Sequence, residues 1–394
     1  MFSLTYPVAR EIIKTIKETA PNLPVVAGGV HPTVLPEFVL NDSGADAVVS
    51  GEGENIFLKI AKKEIEPKGI IKAEFINDID GIPFPKYKNT NINQYLKYSG
   101  THRNRYTLPF PNLAVICARG CPFKCAYCAS NSLFGKVIRS RSVKNVMLEI
   151  DYLISTFGIK GITFHDDTFT INKEWTFEFC KEIKLRKIKW SCGSRVDTVN
   201  QEILYAMKNS GCTFIHYGIE SGSDRVLKDI MNKGITTKLA ENTIRITRKS
   251  GIGVINSFMF GLPGETEEDL KKTIEFIKTV QMEVAQLSIF VPLPGSKLFK
   301  GEPWTLFSSD RDFFNNPSIV EDKELARLAT KYHNKALKTF IFSPLRYSIL
   351  LKLAKNPINL FYAFKLLALV IFERLKNNVS KKENREKKWI EVTD

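Results

Sequence analysis

Three cysteines in one short stretch, Cys121, Cys125 and Cys128, carry the densest chemistry in this 394-residue sequence. Residues 117–128 read CARGCPFKCAYC, which sets these three at C-x3-C-x2-C. A loop of this length can wrap its thiolates around one iron–sulfur cubane. Such a cluster normally takes four thiolates, so three leave one iron open to a small-molecule ligand. Cys117 would supply a fourth and close the site, as in zinc or electron-transfer centres, although zinc more often takes two separated C-x2-C pairs. The other reading of Cys117, shared by Cys180, Cys192 and Cys212, is a small buried thiol. Seven cysteines, an odd count with four of them crowded into twelve residues, point to a reducing, cytoplasmic setting and a metal site.

The elements that must position this loop are legible as alternating apolar runs. Strands are expected near 113–117, 160–165, 187–193, 213–219, 254–260 and 286–291, separated by helical spacing such as Val143 to Thr156 and Glu267 to Val280. Parallel strands joined by right-handed helical crossovers close toward a barrel and take ligands at their C-terminal ends. The polar segments lie at those ends. Asp166 and Asp167 follow the second strand, where a helix N-cap is the competing role. Arg195 follows the third, with a fork of donors for a ligand carboxylate or for Asp197 or Glu220. Glu220 and Ser221 sit in GIESGS after the fourth, and one carboxylate can accept two hydroxyls. After the fifth, only the turn at Gly261 is a ligand candidate, since Glu267, Glu268 and Asp269 complement a helix dipole. Val291 and Pro292 open the VPLPG turn after the sixth.

Taken together, C-x3-C-x-aromatic-C with Tyr127 as the aromatic, GIESGS and the PxPG ending resemble the radical S-adenosylmethionine (SAM) superfamily. The resemblance implies a 4Fe-4S cluster on Cys121, Cys125 and Cys128, with the SAM amino and carboxylate groups on the open iron. One electron would then break the sulfonium bond and release a 5'-deoxyadenosyl radical. It implies SAM contacts from Tyr127, Asp166, Asp167, Arg195, Glu220, Ser221, Gly261, Val291 and Pro292, and an electron donor of flavodoxin or ferredoxin type.

The first eighty residues read as α/β: a helix over Ala9 to Thr19 and buried strands at Val25–Ala27 and Ala47–Val49, each followed by glycines. This stretch resembles the second half of the cobalamin-binding domains that precede radical SAM domains in one large subfamily. The resemblance implies corrin contacts at Gly28, Gly29, Gly51, Glu52 and Gly53, since glycines at strand ends let a backbone approach a bulky ligand. A Asp-x-His-x-x-Gly cobalt-ligand motif is absent, and His31 is read as a turn residue. With the early strands missing, cobalamin binding by these residues is expected to be weak.

The expected architecture is therefore a partial Rossmann-like α/β segment over 1–80, a proline-marked linker over 81–110, a radical SAM partial (βα)6 barrel over 111–300, and a helical C-terminal region with a charged tail over 301–394. The net charge of +15 suits nucleic acid, anionic lipid or an acidic substrate, or reflects a Lys-rich surface. A methylthiotransferase-like RNA modifier would use that charge, but no second cysteine trio or RNA module is visible, and nucleic acid is not expected. A non-catalytic electron-transfer or sensor protein leaves Tyr127, Glu220 and the six units together unexplained. The best reading is an enzyme of radical chemistry on a small molecule or lipid, with methyl transfer among its outcomes. The segment 340–375 mixes aromatic, aliphatic and basic residues as an interfacial helix would, suggesting peripheral membrane contact. The apolar run 359–372 is broken by Lys365 and too short for a transmembrane span.

Overall fold

The computed structural model describes residues 2–99, 108–300, 320 and 322–343. Residues 1–341 form one compact unit and 342–394 a second. Nearly all of the second unit, including the expected charged tail and most of the expected interfacial helix, lies outside the described residues.

Short apolar runs build a small parallel sheet in the order β1 (Val26–Gly28), β2 (Ala47–Ser50), β3 (Gly69–Lys72). Helices α1 (Tyr6–Thr19), α2 (Val30–Val34), α3 (Pro36–Ser43) and α4 (Glu54–Ala61) accompany it. Tyr6, Ile13, Ala27, Val39 and Val48 make its core. Strand β3 was not expected: two isoleucines between Gly69 and Lys72 are too brief a pattern to stand out, and pairing with β2 supplies the stability. The expected linker is not featureless either, since it holds helix α5 (Ile92–Ser99).

The main sheet contains β4 (Asn112–Val115), β7 (Gly161–Phe164), β8 (Lys189–Ser194), β9 (Cys212–Glu220), β10 (Gly253–Phe260) and β11 (Val284–Ile289). All pairings are parallel, in spatial order β11-β10-β9-β8-β7-β4, so the six expected strands are present in their expected order. Between β4 and β7 a two-stranded antiparallel hairpin, β5 (Ala118–Arg119) and β6 (Arg139–Ser140), is followed by α7 (Val143–Phe157); short α6 (Ser130–Phe134) lies within the hairpin. Then α8 (Lys173–Lys184), α9 (Gln201–Asn209), α10 (Thr237–Lys249) and α11 (Glu267–Thr279) make the crossovers, and α12 (Lys323–Phe342) follows. Each crossover helix starts where a Ser, Thr or Asn side chain accepts a first-turn N–H: Ser142, Asn172, Asn200, Thr236 and Thr266.

In parallel pairs, partners in register share a face. One face is aromatic and packs on the helices: Phe164 and Trp190 meet Phe179 at ring centroid distances of 5.1 and 5.3 Å, and Phe258 meets Phe276 at 6.0 Å. The other face carries Thr163 with Ser191, Gly193 with His216, and Gly218 with Ser257 and Gln286.

Candidate cluster and cofactor site

The cysteine loop is closed by the β5–β6 hairpin. Gly120 takes φ +96°, and a Cβ there would run into the Val137 carbonyl, so only glycine fits. The Cys121 N–H donates to Gly135 O (3.2 Å), and Cys128 N–H to Cys125 O (3.2 Å). The Ser130 N–H reaches Cys128 Sγ at 3.4 Å. Cys121 and Cys125 are half-buried and Cys128 is exposed. Burial raises the Cys121 thiol, with Asp167 and Cys125 adding to it, and ligation would have to drive off its proton. No three His, Cys, Asp or Glu among the described residues are drawn tightly enough for a single ion.

Cys117 stands apart. It is buried, its thiol is pushed well up by burial, and its charged neighbours are Asp166, Arg141 and Glu149, not the trio. Cys180, Cys192 and Cys212 are also buried, as the small-thiol reading expects.

The segment after β9 grips the loop. A π-helical turn, Val226–Ile230, is followed by Met231, Asn232 and Lys233. The Ala126 N–H donates to Met231 O (2.8 Å), Asn232 Nδ2 to Lys124 O (3.2 Å), and Lys233 Nζ to the Tyr127 hydroxyl (2.5 Å). Lys233 is 5% exposed and stands 3.9 Å from Glu220 Oε1, which the Tyr127 hydroxyl approaches at 3.5 Å. Burial raises the Glu220 carboxyl, opposed by Lys233. Glu220 adopts φ +75°, a left-handed conformation rare outside glycine, where the β9–β10 register slips. Its carboxylate folds back over Gly218, where any Cβ would strike it. Backbone strain of this kind clusters at functional sites.

Arg195 spends its fork inside the chain. It holds Asp197 through two bonds of 2.9 and 2.7 Å and donates to Lys233 O at 2.7 Å. Its guanidinium lies 3.6 Å from the centroid of Phe123, in the cysteine loop, with one nitrogen 3.6 Å from Cys125 Sγ. It is a positive prop beneath the loop. Asp167 accepts from the Ser130 hydroxyl and so borders the same loop.

Other expected contacts meet groups of the chain itself. Asp166 accepts through Oδ1 from the N–H groups of Cys117 (2.9 Å) and Ala118 (2.5 Å), fixing the start of the loop, while its Oδ2 is buried with no hydrogen-bond partner among the described residues, and burial pushes its pKa up to about 7. Ser221 faces α11 through Thr273 (3.2 Å). The Gly261 N–H donates to buried Glu265 (2.7 Å). Val291 is buried and Pro292 half-buried, while Gly295 in the same turn abuts Val34 and Ser132.

In the first segment, Gly28 and Gly29 end β1 with nothing closer than 3.9 Å to a Cβ on Gly28. The next turn is filled: Ala73 O occupies the place of a Cβ on Gly51, Glu52 is held by Arg139, and Gly53 abuts Val49. His31 is fully buried between Tyr6 and Phe38, with Nδ1 3.0 Å from Ser3 Oγ. Its place is the core, not a turn surface. Sequence reading missed Asn232 and Lys233, because isolated polar residues after a helical turn carry no pattern.

Residues 115–277 match the family model of the radical SAM superfamily, and residues 1–61 that of the B12 binding domain. An uncharacterized methyltransferase of Pyrococcus horikoshii is 37% identical over 315 residues, 75% of this chain and 65% of that protein. The anaerobic magnesium-protoporphyrin IX monomethyl ester cyclase of Cereibacter sphaeroides is 30% identical over 349 residues, 81% of this chain and 55% of that protein. This chain therefore spans less than two thirds of either relative. Among solved structures, the radical SAM methyltransferase TsrM of Kitasatospora setae, with cobalamin and a [4Fe-4S] cluster bound, superposes with a TM-score of 0.60 at 18% identity, covering 75% of this chain and 62% of that one. That similarity concerns the fold.

Proposed function

From the chain's membership in the radical SAM superfamily, in the subfamily that carries a B12 binding domain, we propose that it is an enzyme that opens radical chemistry on a small molecule by cleaving SAM. Cys121, Cys125 and Cys128 hold the cluster. When bound, cluster and SAM together supply the reductive cleavage of the sulfonium bond, given one electron from a flavodoxin- or ferredoxin-type donor.

The chain's own residues prepare that site. Arg195 sets a guanidinium nitrogen 3.6 Å from Cys125 Sγ and props Phe123. Tyr127, Lys233 and Glu220 present a cation, a carboxylate and a hydroxyl within one buried cluster beside the loop, where a charged amino acid and a ribose find partners. Asp167 with Ser130 borders the same loop. On the face of the main sheet opposite the aromatic one, His216 Nε2 and Ser257 Oγ, 2.5 Å apart, form a polar pair for a substrate to meet. The methyltransferase and cyclase relatives favour methyl transfer or cyclisation as the outcome.

For cobalamin the residues fit poorly. Gly51, Glu52 and His31 are taken up by the chain: Ala73 O fills the place beside Gly51, Arg139 holds Glu52, and His31 is buried.

The observation that carries the proposal is the clasp of Lys233 on Tyr127, which joins the cysteine loop to the strained end of β9. Anaerobically reconstituted protein should bind about four irons per chain. Adding SAM to the reduced protein should change the electron paramagnetic resonance signal of the cluster. A cluster whose signal ignores SAM would contradict the reading.

A further inference from the structure

The cysteine loop closes only if two arginines can stand side by side. In the β5–β6 hairpin Arg119 pairs with Arg139, the two residues flanking the whole cluster loop. Cross-strand partners share a face, and like charges directly opposite repel. The relief comes from far away in sequence, from the GEGE turn after β2.

Glu52 takes both forks: Oε1 and Oε2 each lie 2.7 Å from an Arg139 nitrogen, and Oε1 lies 3.4 Å from Arg119. Glu54 holds the other Arg119 nitrogen at 2.7 Å. The Glu52 side chain is 2% exposed and that of Arg139 6%. Burial alone would raise the Glu52 carboxyl, yet Arg139, the Ile76 N–H and Arg119 bring it below its ordinary range. Arg139 also donates to Ile76 O (2.8 Å) and to Phe134 O (3.0 Å) at the end of the loop, and lies over the Phe75 ring. One carboxylate thus ties the first sheet to both strands of the cluster hairpin.

The geometry points to Glu52 as a positioning residue for the cluster: its charge, with that of Glu54, cancels the repulsion between Arg119 and Arg139 and holds the cysteine loop shut. The role rests on the reading that Cys121, Cys125 and Cys128 carry the cluster. It gives the GEGE turn a purpose other than contact with a corrin. It also makes the first segment part of the cluster site.

The test compares full-length wild type, Glu52→Gln, Arg119→Gln and the double variant after anaerobic reconstitution, reading iron and sulfide content, the signal of the reduced cluster, and thermal melting. Glu52→Gln, which leaves two facing arginines with half their compensation, should retain less than about half the wild-type iron. Adding Arg119→Gln removes one of the repelling charges and should restore much of it. A structural loss unrelated to the arginine pair would not be rescued that way. Wild-type iron in Glu52→Gln, or a double variant no better than the single, overturns the role. If Glu52→Gln does not fold, Glu54→Gln reads the same repulsion through the more exposed Arg119, and an unchanged cluster there overturns it equally. Wild-type protein that takes up no iron would instead overturn the cluster assignment underneath.

Discussion

Lys233 Nζ lies 2.5 Å from the Tyr127 hydroxyl and 3.9 Å from Glu220, so one buried cation serves the cysteine loop and the end of β9 together. Removing one member of a buried charged pair leaves the other uncompensated, at a cost of about 3 kcal/mol or more. Lys233→Met should therefore melt well below wild type. The double variant Lys233→Met/Glu220→Gln, which removes the stranded charge, should recover part of the loss. Equal melting of single and double variants would show that the two side chains do not interact.

Gly218→Ala addresses the same carboxylate from beneath. A methyl group there must displace the Glu220 side chain. Iron binding should survive, because the cysteine loop is held elsewhere, while SAM affinity should fall by about tenfold, on the order of 1.4 kcal/mol. Calorimetric titration of the reconstituted variant with SAM measures it.

The buried Glu265 gives a pH signature away from the cluster. Burial pushes its carboxyl from 4.5 up to about 7, although it accepts from Gly261 and Leu262. Because the folded state holds this proton more tightly than the unfolded one, the contribution is present below about pH 4.5 and is lost as pH rises to about 7. At about 1.4 kcal/mol per pH unit, the loss is about 3 kcal/mol. Glu265→Gln keeps the acceptor without the charge and should flatten that part of the stability curve. Denaturant melts from about pH 4.5 to about pH 8 decide it, and a slope equal to wild type would contradict it.

The cysteines divide by environment. Cys117→Ala should leave the iron content unchanged, since its thiol faces Asp166 and Arg141 and not the trio. Alanine at any one of Cys121, Cys125 or Cys128 should reduce iron content sharply. A cluster lost from Cys117→Ala would favour a four-thiolate, closed site.

Weak cobalamin binding follows from the filling of the second glycine turn by Ala73 and Arg139. Equilibrium dialysis with hydroxocobalamin should give little retention. Tight one-to-one binding would show that the corrin displaces these contacts.

What the sequence revealed depended on how local each signal was. The six strands and their helices were legible because long apolar periods mark them. The trio was legible from spacing alone. The Lys233 clasp, the Arg195 prop and the Glu52 tie were not, because each joins groups from 38 to 106 positions apart. Of two carboxylates read as ligand contacts by motif, Glu52 is held by an arginine that only the folded chain brings near, while Asp166 accepts two backbone N–H groups through one oxygen and keeps the other buried without a hydrogen-bond partner among the described residues. Strand β3 and the β5–β6 hairpin were too short to announce themselves and exist by pairing.

The most direct measurement is the product of SAM itself. Reconstituted protein, carrying about four irons, is reduced with dithionite in the presence of SAM, and 5'-deoxyadenosine is quantified by mass spectrometry beside a Cys121→Ala/Cys125→Ala/Cys128→Ala control. Formation of 5'-deoxyadenosine by the wild type and not by the control is the expected result. An intact cluster that yields no 5'-deoxyadenosine would contradict radical SAM catalysis and leave the cluster a structural or electron-transfer centre.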